Sequence, residues 1–314
     1  MLRLKGMSWN TATRRSKSPE GQRFDVCDMA NYDVIGRIGS ESANARVYEI
    51  VTKEGQHYAL KVAYKSDEEA RLAARLGRIS DNFPAVIGWG TCLAELDPDD
   101  HVQKSMRQQH FLNVLEATTD QSVTRKRMRK DVNDAFHTEA SNAEILEVVS
   151  EYGGDVNALR HALLDPLPVT VLASELAWSD LYAVLSGVVD VSEFGSTEAV
   201  VASAVADVIG VVLNMLRIGT MHGDLHAGNV LLRRVQGDNK FRAIVHDFGT
   251  SRDAIDLEEH KNDLRTFFNA IYASNMGETF EALIETTVEA VNAVETPEEF
   301  LATLTAAQAA WRDV

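Results

Sequence analysis

The spacing of apolar positions changes repeatedly along this chain, and each change predicts an element. Val34, Ile35 and Ile38, then Val47, Tyr48, Ile50 and Val51, lie either side of a small polar turn at 39–44, which predicts strands over 32–39 and 45–51. Residues 56–64 alternate like a third strand, with Lys61 on the face opposite Leu60 and Val62. Ser66-Asp67-Glu68-Glu69 then caps and charges the start of a helix that runs to Leu76, and Gly77 is placed to end it. A short β-like piece at 82–93 precedes a polar, charge-rich, helix-prone stretch over 95–166. Strand character returns at 169–174, and a helix is expected to begin near Ser179-Asp180-Leu181.

The second half is predicted to be mainly helical. Val200, Val201, Ala204, Val205, Val208, Ile209, Val212, Leu213 and Leu216 recur at helical spacing, so 197–216 reads as a buried helix. It delivers the chain to a polar turn, His222-Gly223-Asp224-Leu225-His226-Ala227-Gly228-Asn229. A hairpin of 229–235 and 241–246 follows around Gln236-Gly237-Asp238-Asn239, and Asp247-Phe248-Gly249 comes at its end. Three more helical patterns are predicted near 257–273, 278–294 and 297–311. The hairpin brings Asp224, Asn229 and Asp247 to one end of a small sheet. Two carboxylates and a carboxamide placed so would suit magnesium–nucleotide chemistry, with one base for an acceptor hydroxyl and two oxygen ligands for the metal.

Charge narrows the partners. Lys and Arg total 31 against 47 Asp and Glu, a net charge of -16, which argues against general nucleic-acid or anionic-membrane binding. The longest apolar stretch, 199–213, is interrupted by Asp207 and reads as too short to span a bilayer, and residues 1–23 lack the apolar core of a secretory signal. A cytoplasmic, soluble protein is therefore expected. Cys27 and Cys92 form no spacing motif, so free thiols in a reduced compartment are the expectation. Residues 1–31 read as a basic, flexible arm, solvated in preference to docked on an acidic surface. The run Arg125-Lys126-Arg127-Met128-Arg129-Lys130 could hold an acidic or phosphorylated substrate, although such a run is more often the wet face of a helix.

Taken together these motifs resemble the protein-kinase-like superfamily. His222, Asp224 and Asn229 match the HxDxxxxN catalytic loop, Asp247-Phe248-Gly249 matches DFG, and Ala59-Leu60-Lys61 matches the strand-lysine motif. The resemblance covers about 32–263 and implies an α+β, bilobal fold, a small antiparallel β N-lobe plus a mainly helical C-lobe. Residues 32–177 would be the N-lobe, with a charged helical insertion at 95–166, and 178–314 the C-lobe with a truncated activation segment. The resemblance further implies ATP and Mg2+ as cofactors. Asp224 would orient or deprotonate the acceptor hydroxyl, Asn229 and Asp247 would ligate magnesium, and Lys61 would contact the α- and β-phosphates. Glu69, preferred to Glu68, would hold Lys61. Glu175-Leu176-Ala177 resembles the hinge whose backbone, at Glu175 and Ala177, would meet adenine. His222 would support the loop, and Asp263 would brace its backbone.

There are departures from the family pattern. Gly36 and Gly39 remain of the glycine loop, but Ser40, Ser42 and Ala45 stand where glycines are usual; small residues still leave backbone N–H groups able to cradle phosphate. Gly223 stands where regulated protein kinases carry arginine, and His226 replaces the lysine that follows the catalytic aspartate by two. The resemblance is thus nearest to atypical protein kinases and to aminoglycoside and choline kinases. An atypical protein Ser/Thr kinase is the first reading. A small-molecule kinase is the second, and a nucleotide-binding scaffold without catalysis the third. The substrate would be a protein or small-molecule hydroxyl, with no nucleic acid and no membrane partner.

Overall fold

The computed structural model of the protein describes residues 3–10, 24–39, 45–95, 100–119, 125–138, 140–235, 240–253, 256–274 and 276–314. The chain opens with β1 (Arg3–Asn10), β2 (Tyr32–Arg37), β3 (Ala45–Thr52), β4 (His57–Ala63), α1 (Asp67–Leu76) and β5 (Val86–Glu95). The helices α2 (His101–Thr118), α3 (Arg125–His137), α4 (Asn142–Ser150) and α5 (Val156–Leu164) follow, then β6 (Leu167–Glu175), β7 (Ser179–Asp180), α6 (Leu181–Leu185) and α7 (Thr197–Arg217). Last come β8 (Thr220–Met221), β9 (Val230–Arg234), β10 (Phe241–Val245), β11 (Arg252–Asp253), α8 (Leu257–Tyr272), α9 (Glu278–Ala293) and α10 (Pro297–Arg312). The class is α+β, with sheet toward the N-terminus and mainly helix toward the C-terminus, as the sequence predicts.

Two compact units emerge. The first holds β1 to β4, nearly all of β5 and β6, and α2 to α5; the second holds 68–87 and 174–314. Among the described residues, the first unit is built on a six-stranded sheet of order β1-β5-β6-β4-β3-β2. Val47 of β3 lies opposite Lys61 of β4, and a register shift between Val34 and Gly36 breaks the regular pairing of β2 with β3. Gly39 takes φ +76, a backbone conformation that strains any residue with a Cβ.

The arm expected over 1–31 is corrected in two places. Arg3–Asn10 pairs antiparallel with β5, Arg3 opposite Glu95 and Asn10 opposite Trp89. Further on, Val26 is fully buried, Tyr32 donates its hydroxyl to Val26 O at 2.8 Å, and Phe24 stacks on Tyr32. Strand pairing with a remote segment leaves no mark on local periodicity. The free-thiol expectation is also corrected, because Cys27 and Cys92 form a disulfide across a separation of 65 residues. Gly88 explains how they meet: a Cβ there would lie 2.7 Å from Phe24 O, so only glycine lets the segment before β2 cross β5 so closely.

The insertion folds as helices with their own core. Phe111, Leu115, Met128, Val132, Ile145, Val149, Leu159 and Leu163 pack together, while Arg125, Lys126, Arg127, Arg129 and Lys130 line the exposed face of α3. The basic run is therefore the wet face of a helix whose Met128 points inward. Side-chain caps start these helices: Asp100 accepts from Val102 N and Gln103 N, Ser141 and Glu144 form a reciprocal box, and Asp155 accepts from Asn157 N and Ala158 N.

Asp100 does a second job that spacing alone does not show. Arg46 of β3, only 5% exposed, donates to Asp100 Oδ1 at 3.0 Å, and Arg37 of β2 pairs with Oδ2. The first helix of the insertion is thus tied to both strands that flank the small-residue turn. Burial opposes ionisation of Asp100, but the hydrogen bonds from Arg46 and Gln103 N and the two guanidinium charges outweigh it and lower its pKa. Removing one member of a buried pair leaves the other charge unpaired, so Asp100→Ala is expected to cost about 3–5 kcal/mol. Chemical denaturation of the full chain checks this; a midpoint unchanged from wild type would show that the tie contributes nothing.

In the second unit, α7 packs against β10 and α10. It is 21 residues long, and an 18-residue stretch of it has a mean hydropathy of 2.1, long and apolar enough to cross a membrane, beyond what 199–213 suggested. With 67% of that stretch buried, the pattern is that of a core helix. Asp207 accepts from Ala243 N at 2.9 Å, so the acid that interrupts the apolar run holds β10 in place. Gly77 ends α1 as expected, and for a packing reason: a Cβ there would meet Pro84 O at 2.4 Å.

Candidate active site

Residues 220–229 of the second unit form a loop whose backbone is held from several sides. Its entry, β8, pairs antiparallel with β11, Met221 opposite Arg252. Asp263 of α8 accepts from His222 N at 3.0 Å and from Gly223 N at 3.1 Å, which is the brace expected of it. Gly223 takes φ +82, and a Cβ there would sit 2.7 Å from Thr250 O, so the position that carries arginine in regulated kinases has room only for glycine here. Thr250 and Ser251 donate their hydroxyls to His222 O at 3.1 and 3.0 Å.

The His222 ring is a structural strut. It is 1% exposed, its Nε2–H donates to His246 O at 2.9 Å, and Nδ1 accepts from Asp224 N at 3.3 Å. Phe248 lies against it, ring centroids 5.4 Å apart, and Phe248 in turn meets Phe83 at 6.1 Å. Burial pushes the imidazole below its usual range, against the opposing pull of the His246 hydrogen bond and of Asp263, Asp247 and Asp224. A neutral imidazole with both nitrogens engaged in this way is a poor base. The side chain of Asp224, 54% exposed, points outward from the loop.

Asn229 and Asp247 lie on the two strands' shared end. Asn229 Nδ2 donates to Asp224 O at 2.9 Å, which directs its Oδ1 the opposite way, and Asn229 O accepts from His246 N at 3.0 Å. Asp247 holds φ +62, uncommon for a residue with a side chain and a mark of a position fixed by its surroundings. Glu69, 7% exposed, belongs to the same place: a Cβ on Gly249 would lie 3.5 Å from Asp247 Oδ1 and 3.8 Å from Glu69 Oε2. Among the described residues, no group of three or more His, Cys, Asp or Glu could hold a metal by itself. The donor set fits magnesium in another way, since that ion takes one or two protein oxygens and completes its shell with water and substrate phosphates.

The hinge candidates are built into the same unit. Glu175 N donates to Ala85 O at 3.0 Å, its Oε1 accepts from Ala85 N at 2.9 Å, and its other oxygen pairs with Arg233. The carboxylate is therefore engaged with the fold, and any adenine contact at Glu175 or Ala177 falls to the backbone. Leu176-Ala177 forms the irregular link from β6 to β7, and Trp178 N donates to Leu232 O at 2.9 Å. Lys61 on β4 and Gly36 and Gly39 at the β2 end belong to the first unit. Ser40 and Ser42 lie outside the described residues. The loop's supports from Thr250, Ser251 and the His246 carbonyl were not read from the sequence, although two small hydroxyl residues directly after Gly249 were the available signal.

Residues 185–283 match the family model of the ABC1 atypical kinase-like domain. That stretch contains the loop, the hairpin, Asp247-Phe248-Gly249 and α8, and the match supports assignment to the protein-kinase-like superfamily and a kinase-like phosphotransferase. No curated protein sequence matches the chain. Among solved structures, 1172 chains match. One, described as WaaP in complex with acyl carrier protein, is 13% identical, covers 89% of this chain and 88% of that chain, and has a TM-score of 0.41.

The His222 strut has a measurable pH signature. Its folded-state pKa lies below the unfolded one, so the native state binds fewer protons between the two, and stability rises with pH through that window and falls as pH drops below the imidazole range. Each such group contributes a slope of up to about 1.4 kcal/mol per pH unit. Denaturation curves from about pH 7 to about pH 5 should show this acid destabilisation, and His222→Asn should reduce the slope by up to one proton. An identical slope in the variant would contradict a buried, neutral His222.

Proposed function

We propose that the chain is an ATP- and magnesium-dependent phosphotransferase that moves the γ-phosphoryl group to a hydroxyl, first of all a protein Ser or Thr. The observation that supports this most strongly is the braced loop, in which buried His222 and Asp263 hold the backbone while Asp224 is left outward beside Asn229. In this reading the hydroxyl oxygen bonds to the γ-phosphorus as the bond to the β,γ-bridging oxygen breaks. ADP leaves with the electron pair, and the hydroxyl proton passes to Asp224. Asn229 Oδ1 and Asp247 would ligate magnesium, which when bound neutralises charge on the phosphates. The resemblance would give Lys61 the α- and β-phosphates, Gly36 and Gly39 a part in the phosphate loop, and the 175–177 backbone the adenine.

Chemistry of this kind is mostly positioning and electrostatics, so the base contributes a bounded factor. Asp224→Ala is expected to lower transfer by about 10²–10⁴-fold with nucleotide affinity largely kept. The check is incubation of wild type and variant with γ-labelled ATP and a cell lysate. Label on proteins that the variant fails to place supports the protein-kinase reading, whereas label confined to small molecules moves the assignment to a small-molecule kinase. Equal labelling by the variant would remove Asp224 from the reaction, and no label in either sample would leave a nucleotide-binding scaffold.

A further inference from the structure

The α3 helix carries its charge where a helix accommodates it least. Arg125, Lys126, Arg127, Arg129 and Lys130 surround Met128 at its start, and no acid stands in its first turn. The N-terminus is the positive end of the backbone dipole, so cations are unfavourable there. Arg125 and Arg129, and likewise Lys126 and Lys130, are like charges four residues apart on one helix surface, a spacing at which they destabilise each other. All five side chains are exposed, Arg127 at 72% and Arg129 at 60%. Asp131 lies 3.7 Å from Arg127, and Glu116 pairs with Arg129. Among the described residues, Lys126 and Lys130 have no acidic partner. Solubility does not call for these cations, because the chain already carries a net charge of -16. On the other side of the helix Met128, Val132 and Ala135 are buried in the core of the insertion, so the basic face is held in place before any partner arrives.

We propose that this face of α3 is a docking surface for a partner protein that presents a short Asp- and Glu-rich segment. The inference is independent of the phosphotransferase reading. Charge complementarity names the partner, and the size of the patch limits it. The basic stretch of helix rises by about 9 Å, close to the Debye length of about 8 Å at physiological salt. An acidic segment of that length meets the five cations and little else of the chain. A nucleic-acid duplex or an anionic bilayer extends much further, and would set its phosphates against a surface drawn from 47 Asp and Glu. Docking also relieves what the free helix bears. Carboxylates arriving at the start of α3 offset the repulsion among its cations and favour the dipole, so the partner supplies the acids that the first turn lacks.

The test is fluorescence anisotropy of the full chain with a labelled short peptide of alternating Asp and Glu, set beside its Asn and Gln counterpart. The wild type is expected to bind the acidic peptide, more weakly as salt rises from about 50 to about 300 mM, and to ignore the neutral one. Lys126→Glu with Lys130→Glu is expected to weaken that binding by at least about 10-fold, since like charges then face each other. The same variant places an acid in the first turn, so it should melt no lower than the wild type. Lys126→Gln with Lys130→Gln should bind with intermediate strength and likewise keep the melting temperature. No binding by the wild type, or equal binding by the charge-reversed chain, would overturn the proposal. A lower melting temperature in both variants would also overturn it, by making the cations part of the fold. Single-stranded DNA and phosphatidylglycerol vesicles serve as alternative ligands. Binding to either that is tighter than to the peptide, and lost in the charge-reversed chain, would replace the acidic protein with a phosphate polyanion and overturn the assignment.

Discussion

Asp263 is the point on which the second unit's chemistry turns. One carboxylate takes the N–H groups of two consecutive loop residues, His222 and Gly223, and is itself 6% exposed. Leaving a buried donor without an acceptor costs about 1–3 kcal/mol, so this one side chain sets the loop's backbone against α8. The remaining supports act on the same few atoms. His222 spans from the His246 carbonyl to Asp224 N, and Thr250 and Ser251 close on the His222 carbonyl. With the backbone fixed, Asp224, Asn229 and His226 have little freedom except to point where the loop aims them.

The same logic explains why the apolar surroundings carry an occasional acid. Asp207 in α7 is half-buried at a cost that raises its pKa, and its carboxylate accepts from Ala243 N in the middle of β10. β10 leads directly to His246 and Asp247. The core helix therefore fixes the strand that leads to Asp247, and α8 fixes the loop that carries Asp224.

Much of this was legible in the sequence because it is local. The period of α7, the alternation of β4, the Gly77 stop and the order of Asp224, Asn229, Asp247 and Asp263 are all short-range signals, and each element stands where those signals put it. What was hidden is non-local. β1 pairs with β5, Cys27 joins Cys92, and Asp100 meets Arg46, each across dozens of residues. No spacing rule records such meetings. Asp100 illustrates this well: as the cap of α2 it could be guessed from its neighbours, but its second role depends on two arginines that arrive from another part of the chain. Gly223 was read as a lost arginine and has instead a steric reason, the Thr250 carbonyl at 2.7 Å from a Cβ placed there.

If Asn229 and Asp247 ligate magnesium as proposed, they offer too few ligands for the ion to bind unaided, and metal and nucleotide then bind interdependently. The most direct test is calorimetric titration of the full chain with a non-hydrolysable ATP analogue, with and without magnesium, for wild type and Asp247→Asn. The account predicts binding that tightens with magnesium in the wild type and loses that dependence in the variant. Nucleotide binding indifferent to magnesium in the wild type, or no binding at all, would contradict it.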